Sequence, residues 1–567
     1  REGRTYLSIV EGFRQNGKMK QRTVEKIGFL DALEKEYEDP IAYFQAYAAT
    51  LTAEKKEENA KRTIEFNPNE KIDSRDGEIR LGLGSIPLSY CYHALQMDRF
   101  WNNRKVRANL PFDPNAIFRM LAYERILHPG SKREAYAHAM ESPDRRGYAL
   151  DHVYQALSFF AKHEEGFKRA LDKAVGDVFA RDLSQVYYDV TNYYFEVENE
   201  DGLRRRGVSK EHRPNPIVQM GLLMDSNGIP IDYEIHPGNT GDAKTLRPAL
   251  ERMKGRHAGQ RFVVVADKGL NCSANIARTV AEGDGFIFSQ SVRKATEELK
   301  GWVLDEQDYD VSESGRFKIK SRQAHKRIKV LGEDGKRYDA RVDVQEVAFW
   351  SRNFAERSAR ERQKVIEKSL ATLARGGVSS AKSKTGVAYV KDLAYDAGTG
   401  EEVKHAYAIN DEKIAQDALM DGYYCIVTSE VNMDEKEIID AYRQLWRIED
   451  TFRVTKSTLE TRPVYVSRED RIRAHFMTCY AALVIMRMLQ ASLGWKYSAE
   501  EIVQSLRSLV GYREDANWYL FSYRDEASDA IGRLLGVNLA KRRYTRAEVK
   551  SMLAASRKPG YGIWLKS

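Results

Sequence analysis

The sequence predicts an α/β protein organised around one sheet. Three successive apolar runs, at 186–197, 217–225 and 229–238, are rich in β-branched and aromatic residues, which is typical of strands. A helical pattern at 242–255 follows, and FVVVAD at 262–267 is a further strand candidate. These observations predict the element order β-β-β-α-β.

This order matches a ribonuclease-H-like fold, in which the first and fourth strands are neighbours. Asp189 lies within the first predicted strand, and Asp267 closes the fourth. We therefore expect the two aspartates to meet in space. An ionised carboxylate in a buried strand costs several kcal/mol unless it is paired or binds a metal. Their positions thus favour a role as ligands.

A third acidic residue, Glu449, lies on a predicted helix. Asn432 and Glu435 have the spacing of a capping pair, and the segment beyond them is predicted to be one helix ending before the next proline. Because Tyr442, Glu449 and Lys456 are seven residues apart, they share one stripe of that helix. The same stripe carries Leu445, Phe452 and Leu459. We therefore expect Glu449 among apolar neighbours.

Glu449 taken alone has a simpler interpretation, since it can form a surface ion pair with Arg453, four residues further on. Two strand aspartates and one helix glutamate are more economically explained as a shared ligand set than as three unrelated residues. Carboxylate oxygens are the ligands preferred by hard divalent cations. The pattern therefore predicts a metal-dependent site.

Asp189, Asp267 and Glu449 with their surroundings resemble the DDE triad of bacterial insertion-sequence transposases. The resemblance is to the group with the signature Y-x2-R-x3-E-x6-K, in the long-insertion subgroup of the IS-four superfamily. Tyr442, Glu449 and Lys456 match this signature, whereas Leu445 occupies the arginine position. Further segments also resemble the subgroup: ERILHPGSKREA (124–135), YYDVTNYYFE (187–196), GVSKEHRPNPIVQMGLLMD (207–225), GNTGDAKTL (238–246) and ADKGL (266–270).

The resemblance implies an enzyme that cuts DNA at transposon ends and transfers the freed 3′-hydroxyl into target DNA. It implies two Mg2+ ions held by the triad, for which Mn2+ can substitute, and a homodimer in a synaptic complex with the terminal inverted repeats and target DNA. Two alternatives stay open: a ribonuclease-H-like nuclease without strand transfer, and a catalytically silent DNA-binding protein.

Several basic and aromatic residues near the triad are candidates for DNA contact. Arg443 and Arg447 flank Leu445 and can supply the missing positive charge. Trp446 either stacks on an unpaired base or packs in the core. The complete candidate set is Tyr442, Arg443, Trp446, Arg447, Arg453, Lys456, Lys210 and Arg213. The loop that carries Lys210 and Arg213 can equally be a solvated hairpin tip.

The 182 positions between Asp267 and Glu449 exceed what the bare fold needs, and therefore predict an inserted domain. The fold class is thus a ribonuclease-H-like core interrupted by a mixed α+β domain and preceded by a mostly helical DNA-binding region. The predicted domains are a hairpin, helix and connector (1–80), a helical DNA-binding region (81–182), the first half of the core (183–296), the insertion (297–421), the second half of the core (422–495) and a C-terminal helical region (496–567).

The composition favours a DNA partner and disfavours a membrane. The 567 residues carry a net charge of +8, which points toward a polyanion, although a solvated surface gives a similar total. Four scattered cysteines show no zinc or disulfide pattern and fit a reducing cytoplasm, where a transposase would associate with the bacterial nucleoid. Apolar runs do not approach twenty residues, because Arg487 interrupts the longest one considered.

Residues 5–14 and 19–30 predict a β-hairpin that turns at Asn16-Gly17. The first thirty residues contain seven Lys or Arg and three acids. This excess can grip a DNA backbone, or it can protect an exposed strand edge from aggregation. The sequence does not separate these two roles.

Overall fold

The structure is a computed structural model. It describes residues 5–15, 18–58, 80–139, 147–211, 213–331, 336–375, 387–394, 405–514 and 518–558. The chain forms two compact units, Arg1–Asp76 and Gly77–Ser567, and each is described by itself.

The first unit contains the predicted hairpin. Strand β1 (Tyr6–Gln15) pairs antiparallel with β2 (Lys18–Phe29), and Gln15 lies opposite Lys18. This register leaves two residues for the turn, as predicted, while Asn16 and Gly17 themselves lie outside the described residues.

Two helices complete the described part of this unit. Helix α1 (Leu30–Leu33) continues directly from β2, and α2 (Pro40–Glu58) follows. Glu11 of the hairpin forms ion pairs with Arg22 on the opposite strand and with Lys55 on α2. The carboxylate therefore links the hairpin to the helix.

The second unit begins with a short strand and a group of helices, as the helical patterns predict. Their bounds are β3 (Arg80–Gly82), α3 (Ser85–Ala94), α4 (Met97–Val106), α5 (Pro114–Leu127), α6 (Lys132–His138), α7 (Leu150–Ala161) and α8 (Glu164–Val178). Ser131 and Glu134 form a reciprocal capping box at the start of α6.

The core sheet follows the predicted order β-β-β-α-β. Its elements are β4 (Gln185–Tyr194), β5 (Ile217–Asp225), β6 (Pro230–Pro237), α9 (Leu246–Arg256), β7 (Val263–Ala266), α10 (Ser273–Ala281) and β8 (Gly285–Gln290). Strand β4 pairs antiparallel with β5 and parallel with β7, so the first and fourth strands are neighbours. The ribonuclease-H-like arrangement of this sheet is therefore confirmed.

The insertion contributes strands to the same sheet. Its elements are α11 (Glu297–Leu304), β9 (Asp310–Val311), β10 (Phe317–Leu331), β11 (Arg337–Ser351), α12 (Arg352–Ala374), β12 (Val390–Ala394), β13 (His405–Ile409) and α13 (Asp411–Leu419). Strand β14 (Tyr423–Thr428) then enters between β8 and β11. The nine strands lie in the order β6-β5-β4-β7-β8-β14-β11-β10-β9. Part of the predicted insertion therefore extends the core sheet.

The segment after β14 is less regular than predicted. It consists of α14 (Glu435–Arg443), α15 (Trp446–Arg453) and a π-helical turn (Val454–Thr458). The expectation of one helix capped by Asn432 is wrong, because Asp434 accepts the capping hydrogen bond and the helix is interrupted after Arg443.

Helix α16 (Glu469–Ser492) lies at the centre of the second unit. It is long and apolar enough to cross a membrane, contrary to the expectation from its interrupted sequence, but 94% of its most apolar window is buried inside the protein. Its contacts are with α5, α7 and β6. It is therefore placed as a core helix.

The C-terminal region contains strands as well as the predicted helices. Its elements are α17 (Ala499–Ser508), β15 (Val510–Glu514), β16 (Trp518–Phe521), α18 (Glu526–Leu535), β17 (Arg543–Thr545) and α19 (Arg546–Ser556). The three strands form a small sheet with β3 from the start of the unit. Ser498 and Glu501 form a capping box at the start of α17.

Side chains alternate between the two faces of β4. Tyr187 and Tyr193 belong to the apolar cluster that includes α16, whereas Tyr188 and Val190 belong to the cluster that covers the opposite face. Both faces of the strand are therefore buried, and the strand position is closely fixed around Asp189.

Candidate active site

Two aspartates lie side by side at the end of neighbouring parallel strands. In the register of β4 and β7, Tyr188 pairs with Ala266, and the next residues are Asp189 and Asp267. Asp189 is half-buried, whereas Asp267 lies just beyond β7 and is exposed. The expected meeting of the two aspartates is therefore observed, although Asp267 is not inside a buried strand.

The electrostatics of Asp189 reflect both its burial and its acidic neighbours. Burial raises the pKa of Asp189 to about 6, and the negative charges of Asp267 and Glu449 act in the same direction. The ammonium group of Lys210 and the backbone N–H of Val190 partly oppose this shift. All three carboxylates are thus close enough to interact electrostatically, and a cation among them would relieve the repulsion.

Glu449 is exposed, contrary to the expectation that it lies among apolar neighbours. The other residues of its stripe, Leu445, Phe452 and Leu459, are buried. The stripe therefore anchors the segment while the carboxylate points to solvent. In the described part of the chain, three His, Cys, Asp or Glu side chains do not converge closely enough to hold one metal ion together. The carboxylate oxygens nevertheless are the donor type that suits a hard divalent cation.

Asp267 is held by two hydroxyl groups. Ser289 Oγ donates a hydrogen bond to Asp267 Oδ1 at 2.8 Å, and Tyr442 Oη donates to the same oxygen at 3.1 Å. Burial and the nearby carboxylate raise the pKa of Tyr442, so its proton remains available for donation. One oxygen of Asp267 is thereby oriented, and Oδ2 does not share these bonds.

Two family models match the chain. Residues 202–485 match the family model for the transposase DDE domain, and residues 1–63 match the N-terminal domain of IS1634 family transposases. The chain belongs to the insertion-sequence DDE transposases. The larger matched range contains Asp267 and Glu449, while Asp189 lies just before it.

The transposase is therefore an enzyme that cuts DNA and transfers strands, and DNA is its partner. Transposases with this domain generally use divalent metal ions. Among curated proteins, the sequence finds no match. One solved structure, described as a cryo-EM structure of the piggyBac transposase synaptic complex with hairpin DNA, is similar at 7% identity and a TM-score of 0.38. That similarity covers 85% of this chain and 87% of the other.

Two predicted DNA-contact residues of the transposase have partners outside the triad. Arg447 donates from Nη1 to the backbone carbonyl of Ser226 at 2.7 Å, and Arg443 pairs with Asp440 at 3.3 Å. Leu445, at the signature arginine position, is buried. Neither flanking arginine is therefore held against the three carboxylates in this structure.

Arg453 and Trp446 also differ from their simpler interpretations. Arg453 pairs with Asp450, so the surface pair with Glu449 is not the one that forms. Trp446 is 57% exposed, and the interpretation of it as a core tryptophan is therefore wrong. Its indole lines a cavity of about 310 Å3 together with Trp495 and Arg487. The base-stacking interpretation of Trp446 is compatible with this exposure.

The remaining basic candidates lie close to Asp189. Lys210 donates to the backbone carbonyl of Val190, the residue after Asp189. Lys456 interacts electrostatically with Asp189, and burial and the Lys210 charge lower the pKa of Lys456 to about 8. Arg213 lies on the ring of Tyr194, with 4.0 Å between the guanidinium carbon and the ring centroid. These three cations therefore lie along the continuation of β4.

Sequence reasoning missed Ser289, which is buried beside Asp267. A signal for it exists, because the run GFIFSQ (285–290) has the apolar and aromatic composition of a strand. The parallel register pairs Ala266 with Phe288, which places Ser289 beside Asp267. Extending the register by one residue would have identified it.

Proposed function

We propose that the transposase cleaves the ends of its element and joins the freed 3′-hydroxyl to target DNA, using Asp189, Asp267 and Glu449 as the catalytic and metal-binding residues. The observation that supports this proposal is the adjacency of Asp189 and Asp267, with Glu449 near enough to influence the pKa of Asp189. A purely structural role does not explain why a helix glutamate lies within electrostatic reach of two adjacent aspartates at the ends of neighbouring strands.

The three carboxylates would hold two divalent cations, Mg2+ or in its place Mn2+, which supply activation of the attacking oxygen and stabilisation of the leaving oxygen. Ser289 and Tyr442 fix one oxygen of Asp267 and leave the other for a ligand. At neutral pH, Asp189 is mostly ionised, since its pKa of about 6 lies below the pH.

Positively charged and aromatic residues would hold the DNA around this site. Lys210, Lys456 and Arg213 lie near Asp189 and can bind backbone phosphates, while the exposed Trp446 can stack on an unpaired base. Arg443, Arg447 and Arg453 are assigned more peripheral phosphate contacts, which they reach by exchanging their present partners. Tyr442 would both orient Asp267 and contact a phosphate in the same place.

The test uses a labelled duplex taken from the DNA flanking the coding region, a target plasmid and Mg2+. Asp189→Asn and Glu449→Gln should each abolish cleavage and joining, with a loss of at least about a thousandfold, while retaining end binding. Asp440→Asn is the matched control, because Asp440 is an exposed acid on the preceding helix. Normal cleavage by both triad variants would reject the site assignment.

The same assay separates the two alternatives. Joining of the labelled end to the plasmid distinguishes a transposase from a nuclease that only hydrolyses DNA, and cleavage distinguishes both from a silent DNA-binding protein. The assembly is proposed to be a homodimer in a synaptic complex, because two ends must be processed together. Light scattering with and without end DNA would measure this. The proposed location is the bacterial cytoplasm at the nucleoid, where fluorescence imaging of a tagged transposase would find it with DNA.

A further inference from the structure

One carboxylate lies at the centre of a group of cations beside the proposed active site. Glu211 forms an ion pair with Arg462, while Lys456 Nζ lies 3.7 Å and Arg213 Nε 4.0 Å from its carboxylate oxygens. Lys210 is the preceding residue in the chain. We name Glu211, Lys210, Arg213, Lys456 and Arg462 the Glu211 cluster. Arg462 and Glu211 were not among the residues that the sequence pointed to.

The Glu211 cluster is built against β4 just beyond Asp189. Lys456 Nζ lies 5.7 Å from the centroid of the Tyr193 ring. The guanidinium carbons of Arg213 and Arg462 lie 4.0 Å and 5.6 Å from the centroid of the Tyr194 ring. Two tyrosines of the same strand therefore provide a platform for three of the cations, and the platform begins four residues after Asp189.

The loop that carries Glu211 is held close to the sheet. An ideal Cβ at Gly207 would lie 2.0 Å from the carbonyl oxygen of Gly238, so the backbones approach there as only glycine allows. Arg205 pairs with Ile217 in an isolated bridge. Glu211 is therefore positioned by the fold, and its place near Arg462 is not the result of a freely moving terminus.

The cluster has more positive charge than Glu211 can balance. Three cationic side chains, those of Arg213, Lys456 and Arg462, lie around this one carboxylate, and Lys456 and Arg462 are mostly buried, with side chains 16% and 23% exposed. The crowding is evident at Lys456, whose pKa is lowered by burial and by the Lys210 ammonium group although the carboxylate of Asp189 opposes the shift. Further negative charge at this place would therefore be stabilised.

We infer that Glu211 occupies the position of a DNA backbone phosphate, and that Arg213, Lys456 and Arg462 bind that phosphate when DNA displaces the carboxylate. A carboxylate and a phosphodiester each carry one negative charge and present two acceptor oxygens, so they suit the same donors. The inference deepens the proposed function, on which it rests, by giving the active site an internal competitor for DNA. Glu211 thereby lowers the affinity of the protein for DNA that is not bound at Asp189, Asp267 and Glu449.

The experiment measures binding of a labelled short duplex of arbitrary sequence to the full chain in EDTA, across a series of salt concentrations. Glu211→Gln should bind about tenfold more tightly than wild type, because DNA no longer has to break the ion pair. The slope of log affinity against log salt should become steeper by about one unit, since one further cation is free for phosphate. Arg462→Gln should weaken binding and make the slope shallower by about one unit.

Glu514→Gln is the matched control. Glu514 is also paired with an arginine, Arg543, but it lies in the C-terminal sheet. Glu514→Gln changes the net charge by the same amount as Glu211→Gln. A similar gain in DNA affinity in Glu514→Gln would therefore show a general charge effect and overturn the inference. Equal or weaker binding by Glu211→Gln would also overturn it, because Glu211 would then be a scaffold for the cations.

A further arm separates DNA from free phosphate as the bound species. Sodium phosphate and sodium chloride at equal ionic strength should reduce DNA binding equally, because the cluster recognises a phosphate that is part of the duplex. Stronger competition by phosphate would reassign the cluster to a small anion. These measurements involve no cleavage, so their failure leaves the test of Asp189 and Glu449 unaffected.

Discussion

The strand that carries Asp189 and the helix that carries Glu449 differ in how the surrounding structure holds them. Strand β4 is hydrogen-bonded on both sides, by β5 and β7, and its neighbouring side chains are buried on both faces. Helix α15 has eight residues, lies between an interruption and a π-helical turn, and presents Glu449 to solvent. The aspartates are therefore fixed by sheet register, whereas the glutamate depends on side-chain packing.

The packing that holds α15 is centred on Arg487 of α16. The Arg487 side chain is 2% exposed, and its Nη2 donates to Asp450 at 2.8 Å and to Thr451 at 2.7 Å. Nη1 donates to Gln490 at 2.8 Å. Because Asp450 follows Glu449 directly, this buried guanidinium connects the position of the proposed catalytic glutamate to the core helix.

The largest expected effect comes from breaking that connection. Asp450→Ala leaves the Arg487 charge buried without its carboxylate, and we expect the free energy of unfolding to fall by about 3 kcal/mol. Denaturant unfolding followed by circular dichroism measures the change. Asp440→Ala removes an acid that is paired with the exposed Arg443, and it should change stability by less than about 0.5 kcal/mol. Equal effects in both variants would show that α15 does not depend on Arg487.

The second prediction contrasts Asp189 on the strand with Glu449 on the helix. The folded-state pKa of Asp189, about 6, lies above the ordinary value of 3.8, so ionisation of Asp189 lowers stability as pH rises through this interval. At about pH 8, Asp189→Asn should therefore raise the free energy of unfolding by about 2 kcal/mol, and the gain should vanish below about pH 4. Glu449→Gln, at an exposed position, should show little change at either pH. Stability curves at the two pH values test this, and a pH-independent gain would contradict it.

The smallest expected effect concerns Ser289 of β8, which donates a hydrogen bond to Asp267. Ser289→Ala removes a hydrogen bond to Asp267 but no proposed ligand, so we expect the Mg2+ concentration for half-maximal cleavage to rise about tenfold. Ser289→Thr keeps the hydroxyl and should restore the wild-type metal dependence. Ser291→Ala, two residues further along the chain, serves as the control. An unchanged metal dependence in Ser289→Ala would show that Ser289 contributes only to packing.

The contrast between strand and helix also explains what the sequence could predict. Alternation and apolar runs identified β4 and β7, and the parallel register then determined that Asp189 and Asp267 are neighbours. The interruption between α14 and α15 has no comparable signal, because residues 435–458 contain neither proline nor glycine. It arises from tertiary packing, as does the exposure of Trp446, which local spacing cannot reveal.

The predicted insertion shows a similar limit on what the sequence could predict. The sequence predicts a mixed α+β insertion, and its described residues include α12 and the paired strands β12 and β13. The sequence did not indicate that β10 and β11 join the catalytic sheet, because pairing between distant strands depends on which edge is available. Likewise, β3 and β15 are far apart in the chain yet pair in the small C-terminal sheet.

The placement of β14 between β8 and β11 limits which parts of the chain can be removed. Ala348 of β11 pairs with Cys425 of β14, and Cys425 also pairs with Gln290 of β8. Excising the insertion would thus uncover a row of unpaired amides in the middle of the molecule and create an aggregation-prone edge. The predicted insertion is therefore part of the sheet, and shortened variants should retain β10 and β11 so that β14 stays paired.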